Sequence, residues 1–476
     1  MLKKIVIGAI AALVLLYPAI AWLAGSFIEH RFDSSIAQLG AKTPYVRVVD
    51  QHFHRGWYVS QDDVTVEVVH DVLKGLPAGS AAASVPGAPF RMTIRSVIHH
   101  GPICGLTCLG LARVDSHLEF SDQIKSALAK VFGSNEPLRI RSRLGFFGGG
   151  SSTVDSPPFA DTALGDGGHL GWGGLTAAIG YGADFGSNDI QADAPRIMYS
   201  SADGRRFELT AMQITAHTKR ALRSLSAGDS SFSIGRVSFA GAGGAATFAA
   251  QDIRTASQSS ADAGFMTIAL KTGSGAITTA PLTLSGVHVD LTFRHLEMES
   301  LEQLNAALQK TNSDPTVPPV ARAGAMMAAI KTPLGSLLAH QPEISVDRVS
   351  FANAAGAALV TGLVRLPDVS AAAVAGAADG GFFLQKLDAE LDVTLDEAFL
   401  KSLPGAGANS AAQLQPMADR GLFTHDNGAF RTKILFRHGQ ATFNGKPFGP
   451  PAAPPSQAAP PSQGAPAPMP SPPPPR

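Results

Sequence analysis

Ser233-Ile234-Gly235-Arg236-Val237-Ser238-Phe239-Ala240 and Ser345-Val346-Asp347-Arg348-Val349-Ser350-Phe351-Ala352 share one pattern, and each is followed at the same distance by Gly-Ala-Ala, at 244–246 and 356–358. β-Branched and aromatic residues of this kind favour a pleated strand. Glycine between two such runs marks a reversal. Both units therefore read as strand, glycine-containing turn, strand. Two more fit the same pattern. Arg196-Ile197-Met198-Tyr199 and Phe207-Glu208-Leu209 flank Ala202-Asp203-Gly204. Thr432 to Arg437 and Ala441 to Phe443 flank His438-Gly439, and Asn444-Gly445 follows. Asp-Gly and Asn-Gly accept the positive φ that tight hairpins demand. The spacing predicts a body assembled from repeated antiparallel hairpins.

Outward from these units, Val46 to Val49, Val59 to Val69, Arg91 to His99 and Leu138 to Phe147 also read as strands. Leu73 to Pro89 is a loop. Gly148-Gly149-Gly150-Ser151-Ser152 is a hairpin turn and not a phosphate loop, because no Gly-Lys-Ser/Thr ending follows. Asp166 to Gly174 reads as a second glycine-rich loop, with Trp172 inside it. Helices interrupt the strands. Ser121 is placed to cap one carrying Ile124, Leu128 and Val131 on a face. Met298 to Lys310 aligns Leu301, Leu304 and Leu308. Pro319 to Ala339 is expected to kink near Pro333. Thr394 is placed to cap Leu395 to Leu403, and Ala411 to Arg420 forms one more. The expected fold class is α+β: mostly antiparallel β built from repeated hairpins, with a few packed amphipathic helices, after one N-terminal transmembrane helix.

That helix rests on Ile5 to Phe27, 23 residues without a charge behind Lys3 and Lys4. Such a helix is about 35 Å long, against a hydrocarbon core of about 30 Å. The two lysines should stay in the cytoplasm and send the remainder outward. Pro18 and Ala19-Ile20-Ala21 offer a second outcome, cleavage as a signal peptide. Four parts are expected: 1–27, signal-anchor or signal peptide; 28–230, an N-terminal β-rich periplasmic part; 231–448, a C-terminal part with hairpins and helices; and 449–476, a disordered tail holding 13 of the 33 prolines. The expected location is a bacterial inner membrane, single-pass, with the bulk in the periplasm.

Basic and acidic side chains balance at 38 each, so no overall field recruits nucleic acid or anionic lipid as a principal partner. Cys104 and Cys108 are the only cysteines, in Cys-Gly-Leu-Thr-Cys. In an oxidising compartment a local disulfide is the first expectation, with free buried thiols or a metal site completed by His99 and His100 as the alternatives. No cofactor is expected. His52 and His54 would share a face of an extended strand at a spacing that suits a metal; the plainer account is a turn whose polar groups pin the sheet. Arg55-Gly56 suits an anion contact or a bulge. Asp62 and Asp63, as strand neighbours, diverge. No Gly-x-Ser-x-Gly, His-Glu-x-x-His or Walker pattern is present.

Gln51-His52-Phe53-His54-Arg55-Gly56 with Ser60, His100-Gly101-Pro102, Ser142-Arg143-Leu144-Gly145-Phe146, Trp172-Gly173-Gly174-Leu175 and the closing run from Gly439 through Asn444-Gly445 to Pro447 occur in one order along the chain. This ordered set resembles the YdgA-like family of bacterial envelope proteins of unknown function. The resemblance implies an inner-membrane or periplasmic location and carries no reaction and no catalytic residues. High Ala/Gly content, the 73–89 loop, the cysteine pair and the proline tail depart from that family's pattern. The functional expectation is a non-catalytic, inner-membrane-anchored envelope protein. It would bind an apolar client (lipid, lipoprotein or outer-membrane protein) on a sheet face, with exposed edge strands offering a route to a homodimer. The alternative is an envelope hydrolase or metal-dependent enzyme using His52, His54 or His100.

Overall fold

A computed structural model describes residues 21, 46–68, 90–104, 108–133, 136–164, 167–244, 247–313, 319–376, 381–404 and 407–448. The expectations for the 73–89 loop, the 449–476 tail and, Ala21 apart, the first 27 residues lie outside the described residues.

Long runs of alternating side chains punctuated by turn residues give 24 strands among the described residues: β1 (Val46–His54), β2 (Val59–Val68), β3 (Phe90–His100), β4 (Ile103–Cys104), β5 (Cys108–Leu109), β6 (Ala112–Glu119), β7 (Arg139–Leu144), β8 (Gly150–Ser156), β9 (Phe159–Ala163), β10 (His169–Trp172), β11 (Leu175–Tyr181), β12 (Ser187–Ser200), β13 (Arg206–Arg220), β14 (Ser226–Ala240), β15 (Thr247–Asp262), β16 (Phe265–Thr279), β17 (Leu282–Glu297), β18 (Glu343–Asn353), β19 (Gly356–Arg365), β20 (Asp388–Asp396), β21 (Thr424–Asp426), β22 (Ala429–Arg437), β23 (Gln440–Phe443) and β24 (Lys446–Pro447). Helices are α1 (Asp122–Phe132), α2 (Met298–Ser313), α3 (Pro319–Ala339), α4 (Ala371–Gly376), α5 (Gly381–Lys386), α6 (Glu397–Ser402) and α7 (Gly407–Asp419).

All described pairings are antiparallel. Twenty-two strands form one sheet, and its neighbours run β1-β2-β3-β6-β7-β8-β11-β12 and then strand by strand to β20, followed by β22-β23-β24. β10 joins β9 to β12, and β21 lies against β22. The pair β4–β5 stands apart. The expected mostly antiparallel architecture is thus present, as a single winding sheet. The 230/231 division falls inside β14, which is hydrogen-bonded along its length on both sides.

Hydrophobic packing is distributed in patches. Ile98, Ala112 and Val114 form one under Phe53 and Leu144. Met266 and Leu296 meet Leu337 of α3 and Leu301 and Leu304 of α2. Leu338, Val369 and Val374 form a third, and Leu422, Phe423 and Phe430 a fourth. The helices α2 and α3 cover the ends of β16 and β17, while most of β12 to β15 alternates between half-buried and exposed side chains.

Several local expectations are corrected. Trp172 is in strand β10, paired with Ile197 and Phe159, because the glycines beside it close onto β12 instead of looping out. Thr394 and Leu395 belong to β20, and the helix starts only at Glu397 behind Asp396: their backbone pairs with Arg431 and Phe430 of β22, so they cannot enter a helix. Ser121 stands at the α1 N-terminus without a side-chain cap. The two octets are both strands, yet the downstream triplets differ. Gly356 pairs with Asn353 and opens β19 after a two-residue turn, whereas Gly244 closes a 3-10 turn, with β15 starting at Thr247. Among the described residues no helix is long and apolar enough to cross a membrane.

A line of irregularity crosses the longest strands. The ladders skip Pro195, Ala211, Gly235, Asp252, Gly275 and Gly286, one on each of β12 to β17. Ala211, Asp252 and Gly286 have φ of 51°, 50° and 55°. Pro195 lacks the N–H a ladder needs. Apolar side chains flanking the line are three residues apart instead of two (Leu209/Met212, Val237/Ile234, Ala250/Ile253), as a break in the pleat requires.

Candidate functional site

The motifs read from the sequence converge at the end of β3. His100 is buried, and its Nε2 lies 2.9 Å from the Ser60 Oγ of β2. The ring Nδ1 faces the Trp57 carbonyl at 3.3 Å. A carbonyl can only accept, so Nδ1 carries the proton and Nε2 accepts from the serine hydroxyl. Ser60 Oγ also accepts the Gly56 N–H at 3.3 Å, across the β1–β2 turn. The Gly101 N–H donates to Leu111 O at 2.7 Å. A Cβ on Gly101 would lie 1.7 Å from the Gly110 carbonyl, so only glycine fits. Burial holds the His100 imidazolium form below its ordinary range; the Trp57 and Ala21 carbonyls oppose that shift, and the positive charges of His99 and Arg55 reinforce it.

A serine donating to a neutral histidine is the nucleophile–base arrangement of acyl transfer. Here both side chains are about 1% exposed, and the serine oxygen is already held by Gly56. The pair therefore ties the first turn to the third strand. His52 is exposed and pairs with Asp50 at 3.2 Å. His54 lies beside it, opposite Gln61. Thus His52 and His54 do not join His100 in a common donor set. Among the described residues no group of three or more His, Cys, Asp or Glu is arranged to hold a metal. Arg55 is in the exposed turn. Asp62 is buried, while Asp63 faces the other side and takes a two-pronged contact from Arg95 at 3.1 and 3.2 Å. Cys104 and Cys108 are joined by a disulfide across β4–β5. His99 turns away from His100, toward Asp115.

The remaining motif positions also hold strands together. Trp172 Nε1 donates to Ser156 Oγ at 3.0 Å. Asn444 sits at φ 48° before Gly445 at φ 77°. Its Oδ1 accepts the Lys433 N–H at 2.9 Å and its Nδ2 donates to the Leu422 carbonyl at 3.2 Å. An open cleft of about 400 Å³, lined by His99, Arg113, Asp115, His117, Arg139 and Arg141, has its charges paired within itself, Arg113–Asp115 at 2.6 Å and Arg139–Glu136 at 3.1 Å.

Outside these contacts an apolar row, interrupted by two threonines, crosses the sheet. Ile214 faces Phe232, Val289 faces Val349, and Val360 faces Val393, and these pairs belong to one cross-strand row linked through Thr255 and Thr272. Directly opposed residues share a face, so the row runs over β13 to β20. Ile214, Phe232 and Val289 keep 44, 36 and 36% of their surface in solvent. Sequence patterning signalled strands here but not this alignment, which depends on seven successive registers.

Fold and site define a class: a protein built on one long antiparallel sheet whose motif residues lock turns and which carries a partly exposed apolar row. The chain belongs to a family of bacterial proteins of unknown function, DUF945, whose profile matches residues 1–451. No curated protein and no solved structure matches it.

Proposed function

We propose that this chain is a non-catalytic envelope protein, held in the inner membrane by residues 5–27 with its bulk in the periplasm, that receives an apolar client on its sheet face. The Ile214–Phe232–Val289 row carries the proposal: aliphatic and aromatic side chains on β13, β14 and β17, joined through Thr255 and Thr272, stay half-open to solvent, where water makes exposure costly and an acyl chain or apolar polypeptide relieves it. The Cys104–Cys108 disulfide supports an oxidising compartment. The inward-turned Ser60–His100 pair and the scattered His52 and His54 give the hydrolase alternative no support.

Photocrosslinking from within the full chain in membranes tests this. A benzophenone side chain at Phe232 should capture lipid or polypeptide, while one at Lys271, on the opposite face, should not. Equal capture from both, or none from Phe232, rejects the proposal. The mass of the mature N-terminus separates a retained anchor from cleavage near Ala21.

A further inference from the structure

The turns at one end of the sheet differ in chemistry from those at the other. At the first end lie the β1–β2 turn, the β4–β5 hairpin, the β7–β8 turn and the β11–β12 turn, placed together by the pairs Val59–His99, His100–Ala112, Ala112–Leu144, Leu144–Gly150, Gly150–Tyr181 and Tyr181–Asn188. Their tips expose Trp57 (63%), Tyr58 (46%), Leu109 (79%), Phe146 (50%), Phe147 (93%) and Phe185 (52%). Eight neighbouring strands at about 4.8 Å make this row roughly 34 Å long. The opposite end turns through Ala202-Asp203-Gly204-Arg205, Gly241-Ala242-Gly243-Gly244 and Ala354-Ala355, whose tips carry no aromatic side chain; its exposed aromatics, Phe239 and Phe248, are set back in the paired strands and less open, at 43 and 37%.

Two further observations fall at the aromatic end. Ala21, helical and fully buried, is the described residue of the uncharged N-terminal segment, and its carbonyl lies at the His100 ring. Ala21 therefore meets the sheet beside Trp57. Arg143 stands just behind the tips with its side chain exposed, where a guanidinium suits lipid phosphates, while Arg220 donates to the Asp184 carbonyl within the β11–β12 turn. Tryptophan, tyrosine and phenylalanine next to arginine are the side chains that settle at a bilayer's headgroup boundary.

We infer that this end of the sheet docks on a phospholipid bilayer, with Trp57, Tyr58, Leu109, Phe146, Phe147 and Phe185 seated at the headgroup–acyl boundary. The sheet then stands on the membrane by its turns, and its aliphatic row rises away from the lipid surface. The inference rests on the membrane-held part of the proposed function and goes beyond it, because an anchor by itself does not say which part of the sheet meets the lipid.

The test uses the full chain in nanodiscs of phosphatidylethanolamine and phosphatidylglycerol, doped with a phospholipid bearing a diazirine close to the glycerol. Illumination should label peptides covering 55–59 and 145–149 at least tenfold more than those covering 201–205 and 241–244. Label confined to the first 27 residues, or to those and the sheet face, overturns the docking while leaving the anchor intact. A chain that elutes apart from the nanodiscs, unlabelled, overturns the anchor and the docking together.

Discussion

His100 and Ser60 sit 40 residues apart in the chain and 2.9 Å apart in the fold. Ser60→Ala would strand the Gly56 N–H and the imidazole, a loss of about 1–3 kcal/mol, to be read by denaturant unfolding. Titration gives a second handle. Burial places the folded-state pKa of His100 below its ordinary value of 6.5. Above pH 6.5 neither state is protonated and the contribution is complete. As pH falls through that value the unfolded chain gains a proton that the folded chain refuses, so stability drops until the folded pKa is passed. The unfolding free energy of the wild type should therefore decline below pH 6.5 more steeply than that of His100→Gln; equal slopes would remove His100 as the cause. Asn444 offers a comparison within one position. Asn444→Gly keeps the positive φ but loses the side-chain bonds, at about 1 kcal/mol. Asn444→Ala also meets the left-handed penalty of about 1–2 kcal/mol, so its melting temperature should be the lower. The Asn444-Gly445 turn was legible because its signal is local. The Ser60–His100 bond was not, although both residues belong to the ordered motifs, because nothing in a linear pattern says which polar groups meet.

At the scale of the element, the line through Ala211, Gly235, Asp252, Gly275 and Gly286 sets the shape of the longest strands. Ala211 adopts φ 51° with its side chain exposed. Ala211→Gly should stabilise the protein by about 0.5–1 kcal/mol, the relief of the left-handed penalty less the extra freedom of unfolded glycine. Gly235→Ala should do the reverse, since its Cβ would come 3.0 Å from the Cβ of Ala211. Opposite shifts in the denaturant midpoint are the expected result; a destabilised Ala211→Gly would show that no strain resides there. The octets at 233–240 and 345–352 revealed hairpins because alternation and glycine are short-range signals. They misled over the Gly-Ala-Ala triplets because the triplet does not decide where pairing resumes. Gly356 takes up pairing with Asn353 at once, whereas β14 and β15 are separated by a longer turn.

Across the whole molecule, one sheet carries both proposed surfaces, the aliphatic row on its face and the aromatic tips at its end. Ile214→Asp with Val289→Asp should abolish capture by a benzophenone at Phe232 while costing the fold only about 1 kcal/mol per site, since both positions are already half-open. Retained capture in a folded double variant would show that the apolar row does not hold the client. The same change should leave lipid labelling of the Trp57 and Phe147 tips intact, because those turns lie at the end of the sheet.

The sequence by itself determined that strands dominate, that they reverse in tight turns and that helices interrupt them near 122, 298 and 319, since each follows from side-chain period, turn residues and their spacing within a few positions. Only the tertiary structure decided that these hairpins join into a single sheet across residue 230, that Ser60 and Gly56 close on His100, that an aliphatic row aligns from β13 to β20, and that Trp57, Leu109, Phe147 and Phe185 come to one end. Each of those outcomes depends on the register between strands far apart in the chain. Register is set by the summed pairing of many backbone and side-chain contacts, and a one-residue slip would send every side chain to the other face.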